Sequence, residues 1–401
     1  MRWILAMAAG VCGAVSTGAR GEPPESAASE SLPPVVVDAS AADWVVDRFA
    51  GNSTAGPQFF QGPAREVGGL GRCGACPTPD GTVYIHFEEG IAAVGADGTC
   101  RLVLADRDVL QRTTNQVCAG GGIAYNPKDR RLYVAGRNCL RRLVIRPDER
   151  PTTEHVAGVE GKAGFVDGPA ARATFTRIDS IVINGRGEIF VLDNNERIRR
   201  VGDGAVTTLN AKVHSGKRVD GPLGEASFHM LGLGGNLCGG ADDDTLYLSD
   251  HWNYCVRRID LKAGRVTTVA GMPRPVVPRG QRPTGRAKRF NANSDGPAMT
   301  HASFNSGCAY VCWDPVHGAL WCGGPDESRL RWLRDGWVRT VIGAKPDRNR
   351  WPRDGVGVPG ETVFLGWNAV VAVDGQGRAY ASCSAEKSGL WRAYNPKEVR
   401  P

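Results

Sequence analysis

No apolar run in this chain of 401 residues is long enough to cross a bilayer as a helix, which takes about 20 consecutive apolar residues. The stretch that comes nearest, Ile4 to Val15, is short, follows Arg2 and leads into Thr17-Gly18-Ala19. A charged start, a short apolar core and a small-residue site make a secretory signal peptide over residues 1–21. Cys12 follows Gly10-Val11 and matches a lipid-attachment box poorly. Residues 22–40, which include EPPESAASESLPP, hold too few large apolar side chains to build a core and are expected as a disordered linker. One domain, 41–401, follows, and the expected location is secreted or periplasmic, in the cell envelope.

Other absences narrow the chemistry. No Ser/His/Asp spacing and no paired acids distinguish themselves, so no catalytic residue is assigned. Cys73-Gly74-Ala75-Cys76 has no second pair to complete a zinc site and no helix to make it a redox motif, which leaves a disulfide or two buried thiols. Of twelve cysteines, removal of Cys12 with the leader leaves eleven, so in an oxidising compartment at least one thiol is unpaired or pairs outside the chain. Cys312 and Cys322 flank the turn Asp314 to Gly318 and could meet on one sheet face. The formal net charge of +7 is mild for this length and describes an anion-tolerant surface, not a nucleic-acid binder.

What the chain does have is a beat. Asp167-Gly168-Pro169, Asp220-Gly221-Pro222 and Asp295-Gly296-Pro297 each lead to a phenylalanine, Phe175, Phe228 and Phe304. Fainter copies are Asp354-Gly355-Val356, running to Phe364, and Gln61-Gly62-Pro63, after Phe59-Phe60. The step from 167 to 220 is 53 residues, and that from 61 to 167 is 106, twice 53. Such a period means one supersecondary unit per copy.

Within the best copy, β-branched runs at 179–183, 188–192, 197–201 and 205–209 are separated by Asn184-Gly185, Asp193-Asn194 and Asp203-Gly204, which are hairpin signals. The unit is a four-stranded antiparallel meander. Segments 245–269 and 319–341 repeat it, and 82–104, 131–156 and 378–394 do so more weakly. Sheets apolar on both faces must pack radially, so six units predict an all-β, six-bladed propeller. The phenylalanines are placed to wedge between sheets. The last unit has no room for a fourth strand, and Val45 to Gly51 resembles Val266 to Gly271, so the N-terminal strand is expected to complete the last blade.

The sequence of an Asp-Gly-Pro-Ala segment, a Phe, a Gly-turn hairpin, Val-x-Asp-x-Asn-x-x-Ile-Arg and Gly-x-Val-Thr-Thr-x-Ala-Gly resembles the NHL repeat of six-bladed propellers over residues 44–395. The family places Asn-x-Pro-x-Gly ahead of its innermost strand, where this chain has Thr176-Arg177-Ile178-Asp179 and Leu365-Gly366-Trp367-Asn368. Two distant relatives bear on chemistry. Amidating-lyase propellers hold zinc with histidines from several blades, but the seven histidines here keep no common register. Gluconolactonase-like propellers bind one divalent cation with carboxylates and Asn at the channel mouth, and oxygen ligands suit Ca. By that resemblance Asp179, Asn236, Asn305 and Asn368 are the candidate metal ligands, with ordinary turn and channel-lining polarity as the other reading. No other cofactor is expected. Asp242-Asp243-Asp244 is read as a polar turn, since adjacent side chains diverge.

Meander topology puts the Asp-Gly-Pro segments and the second-to-third-strand turns on one face. The arginine pairs Arg141-Arg142, Arg199-Arg200 and Arg257-Arg258 recur at one repeat position, which favours ion pairs and packing over a basic patch. The beat breaks at 273–290, PRPVVPRGQRPTGRAKRF, where one step stretches to 75 residues, from 220 to 295. That insertion brings Arg279, Arg282 and Arg286 to the loop face, and a second loop, 345–353, brings Arg350 and Trp351. Together with His251 and Trp252 these form the candidate binding set, since Arg and Trp suit anion pairing and stacking on sugars. The expectation is a monomeric recognition module for an acidic polysaccharide or a protein partner, without nucleic acid or a transmembrane segment. The rival is a lactonase-like metal-dependent hydrolase or lyase.

Overall fold

Asp203 and Gly204 both take positive φ, 53° and 73°. This two-residue turn matches the twist of its flanking strands and sets the register of blade 3. Four strands follow one another there, Ile178–Ile183, Ile189–Asp193, Arg197–Gly202 and Ala205–Thr208, each antiparallel to its neighbour. Their bounds differ from the sequence expectation by a residue or less at most ends. The second strand is buried along its whole length, IFVLD, as a sheet packed on both faces requires.

The same meander recurs five more times in a computed structural model that describes residues 38–52, 61–68, 70, 73–87, 90–105, 122–146, 148–194, 196–210, 218–230, 235–275, 293–304, 307–324, 329–345, 358–363, 365, 368–383 and 389–398. All of these belong to one compact unit, Pro33–Pro401. Six antiparallel sheets form the blades. Their innermost strands, Gly74–Pro77, Ile123–Asn126, Ile178–Ile183, Leu237–Gly239, Tyr310–Asp314 and Asn368–Val373, each lie against the next, and the last lies against the first. The chain is a six-bladed β-propeller, and among the described residues helix is confined to short 3-10 turns.

The ring closes as the sequence predicted. Val45–Ala50 pairs antiparallel with Gly389–Tyr394, from Val45 opposite Tyr394 to Ala50 opposite Leu390. Asp47 locks the pairing by accepting from Nε and Nη2 of Arg392 at 3.1 and 2.6 Å. Trp44, fully buried just before the strand, packs edge-on against Trp321 and Trp332.

One feature departs from the four-stranded expectation. In five of the six sheets a two-residue segment adds a fifth strand outside the fourth. These are the Gly-Pro pairs of the beat, with Val358–Pro359 in the last blade. In blade 3 Gly168 pairs with Val206 and Pro169 with Ala205. Proline has no N–H for a ladder and is tolerated there because nothing lies beyond the edge. The Asp-Gly-Pro segment is therefore the outer hem of its own blade, and the joint between blades is the phenylalanine that follows. Phe175 is buried among Tyr133 and Leu140 of blade 2 and Val191 and Val206 of blade 3. Phe228 does the same between blades 3 and 4, and Phe304 between blades 4 and 5. Phe364 and Phe59-Phe60 lie outside the described residues.

In blades 3, 4 and 5 the hem is fastened by a buried arginine. Arg199 is 0 % exposed and donates from Nη2 to Asp167 at 2.7 Å and from Nη1 to Asp193 at 2.8 Å. Asp167 also accepts from the N–H and hydroxyl of Thr208. Blade 4 repeats this with Arg257, Asp220, Asp250 and Thr268. In blade 5 Arg331 and Thr340 meet Asp295. The guanidinium also lies over the wedge ring, 5.2 Å from Phe175, 5.2 Å from Phe228 and 4.7 Å from Phe304. The second arginine of the pair stays near the surface, as Arg200 does beside Glu188.

The described cysteines are thiols. All ten within the described residues are unbridged. Cys73 and Cys76 lie in different hydrophobic clusters, and burial pushes both up to about 12. Cys312 is opposite Trp321 and Cys322 opposite Val311, so their side chains emerge on opposite sheet faces and cannot bridge.

Candidate functional loop face and channel mouth

In blades 3 and 4 the second turn lies beside the chain entering the blade. In blade 3 the N–H groups of Thr176 and Arg177 donate to Asp193 at 2.8 and 3.0 Å, and Asn194 N–H donates to Arg177 O at 2.7 Å. In blade 4 His229 N–H donates to Asp250 at 2.7 Å, and Trp252 N–H donates to His229 O at 2.9 Å. A buried aspartate at the end of the second strand thus ties the second turn to the chain entering the blade. Asn195, Asp326-Glu327 and Glu386-Lys387 lie outside the described residues.

On this face blade 4 carries a cluster of rings. His251-Trp252-Asn253 forms a one-turn 3-10 helix, ended by Tyr254 at φ 56°. His251 is buried and points inward, where a Cβ on Gly307 of the next blade would come within 2.4 Å of its ring. Burial pushes the imidazole of His251 below its ordinary value. Trp252 turns the other way and is 42 % exposed, its ring 6.3 Å from that of His229 and 5.0 Å from that of His251. At the root of the insertion, Arg274 donates to the Tyr254 hydroxyl at 2.7 Å and lies 5.4 Å over its ring. Of the candidate binding set, then, Trp252 offers a surface and His251 supports it from below. Arg279, Arg282, Arg286, Arg350 and Trp351 lie outside the described residues.

Two of the four candidate metal ligands have described side chains. Asp179 is buried, and its Oδ1 accepts from Arg177 Nε at 2.6 Å. The Asn236 amide stitches blade 4 to blade 5, accepting from Val311 N–H at 2.6 Å and donating to Val311 O at 2.9 Å. Both bond to the protein's own groups. Asn368 is described only as backbone, opening the innermost strand of blade 6, and Asn305 lies outside the described residues. Among the described residues no group of three His, Cys, Asp or Glu could hold a metal ion.

The sequence reading missed two things here: the buried aspartates Asp193 and Asp250, and Arg274 with Tyr254. The first had a signal, since each ends a second strand just before an Asn- or His-containing turn. The second had none, because 20 residues separate the partners.

No family model matches the chain, and no curated protein matches it. Solved structures do. A protein of unknown function from Bacteroides thetaiotaomicron is 14 % identical, with 87 % of this chain and 75 % of that one covered at a TM-score of 0.56. An auxiliary nutrient binding protein from Bacteroides ovatus is 11 % identical, with 88 % and 76 % covered and a TM-score of 0.55. A gluconolactonase from Xanthomonas campestris is 14 % identical, with 92 % and 96 % covered and a TM-score of 0.50. At these identities the likeness is one of fold.

Proposed function

We propose that this propeller, of NHL type, is a secreted recognition module that binds an acidic polysaccharide on the loop face of blades 4 to 6. The observation that carries this is Trp252, a large ring held exposed against a buried histidine, two residues before the Tyr254 that Arg274 contacts at the root of the arginine-rich insertion. An aromatic platform next to guanidinium groups suits a sugar ring bearing sulfate or carboxylate. The nutrient binding protein from Bacteroides ovatus lends the fold a binding precedent and no more. Binding is preferred to lactonase-like hydrolysis because Asp179 Oδ1 already accepts from Arg177 and the Asn236 amide is bonded to Val311, so neither presents a free pair of ligand atoms.

Retention on an immobilised acidic polysaccharide tests the reading. Trp252→Ala should elute at lower salt than the unchanged protein while keeping its melting temperature, and equal retention would count against the loop face. Metal analysis tests the rival: a stoichiometric divalent ion, lost in Asp179→Ala, would favour the hydrolase.

A further inference from the structure

Two blade junctions carry aromatic residues at equivalent positions, and they use them differently. Between blades 4 and 5, Tyr247 of a second strand and Trp313 of a first strand stack, with centroids 6.0 Å apart and planes 14° from parallel. Strand register makes Tyr84 the counterpart of Tyr247 and Tyr125 the counterpart of Trp313. Tyr84 is one residue before Ile85, opposite Ala92, as Tyr247 is one before Leu248, opposite Arg257. Tyr125 faces Leu132 as Trp313 faces Leu320. Yet Tyr84 and Tyr125 make no ring contact with each other among the described residues. They stand apart as walls of a cleft of about 860 Å³ between blades 1 and 2, within the size range of ligand sites.

The cleft lies at the other end of the propeller from the loop face, among first-to-second and third-to-fourth turns. Elsewhere at that end turns close on each other: Asn184 of blade 3 donates to Asp243 O of blade 4 at 3.0 Å, and Arg186 pairs with Asp244 at 2.7 Å. Along the cleft, Arg142 donates to Glu154 from both Nε and Nη2, and Asp129 accepts from the Tyr133 hydroxyl at 2.7 Å. These pair part of the acidic side of the wall, which also carries Asp80, whose carboxylate accepts from the Thr78 hydroxyl and the Thr82 N–H. Arg130 and Arg131, exposed on its rim, have no ion-pair partner among the described residues. The hydroxyls of Tyr84 and Tyr125 likewise have no hydrogen-bond partner there.

We infer that this cleft is a second binding site, for a short oligosaccharide whose rings carry carboxylates. The tyrosine rings supply flat apolar walls with a polar tip at each end, and the planar forks of Arg130 and Arg131 match a carboxylate bidentately. The inference does not depend on the loop face, which is built from other blades.

Calorimetric titration of the full chain with trigalacturonate, and with uncharged cellotriose, tests it. The unchanged protein should bind the first at least about tenfold more tightly than the second. Arg131→Gln, a surface change that leaves the fold intact, and Tyr125→Ala should each weaken trigalacturonate about tenfold or more. Absence of binding to the unchanged protein, or equal binding by Arg131→Gln, would overturn the cleft. Binding lost in Trp252→Ala but kept in both cleft variants would overturn the cleft and support the loop face instead.

Discussion

Arg257 has two carboxylates, two backbone carbonyls and an aromatic face around it, and no exposure to water. Removing only the cation leaves Asp250 buried without its counter-charge, so Arg257→Met should cost about 3–5 kcal/mol in urea unfolding. Its neighbour in sequence class, Arg200, lies half-exposed beside Glu188, and Arg200→Met should cost about 0–1 kcal/mol. The recurrence of these arginine pairs was visible in the sequence. Which member is buried was not, because Asp220 is remote in the chain and only the hem brings it home. His317 gives a residue-scale test against pH. Burial alone would lower its pKa, but Asp314 at Nδ1 and Glu398 at Nε2, each at 2.7 Å, outweigh that and raise it. A raised histidine stabilises fully below its unfolded value of about 6.5 and loses that contribution as pH climbs through the folded value. The melting temperature should thus fall from pH 6 to pH 8 more steeply in the unchanged protein than in His317→Gln, and parallel profiles would refute the clamp.

At the scale of elements, hairpins were legible because Asn-Gly and Asp-Gly fix both turn and register. The closing strand was legible because Val45 to Gly51 repeats a fourth-strand pattern in the wrong place in the chain. Trp44 anchors it, and Trp44→Ala should cost about 3–5 kcal/mol by cavity formation; a loss below about 1 kcal/mol would mean the strand is held by its ladder alone. The two-residue hem was not legible, since Gly-Pro reads as a turn and only the outer strand reveals its pairing. The difference between a filled and an open junction was equally hidden. Tyr84 and Tyr247 are identical in type and repeat position, and their partners Tyr125 and Trp313 decide whether the space between blades is occupied.

For the molecule as a whole, the beat specifies a ring and leaves little over for chemistry. Most conspicuous residues of the repeat, its Asp, Gly, Pro, Phe and first Arg, are consumed in building blades. The proposed functions rest on what the repeat does not explain: an exposed Trp252, the broken step after Gly271, and the cleft between blades 1 and 2. The sequence located Trp252 by its place in a second-to-third-strand turn and the broken step by its departure from the beat. The central claim, an anion-reading loop face, is tested most directly by the salt needed to elute the protein from immobilised heparin. The account predicts that a variant with Arg279, Arg282 and Arg286 changed to Ala elutes at clearly lower salt with an unaltered melting temperature, and elution at the same salt would contradict it.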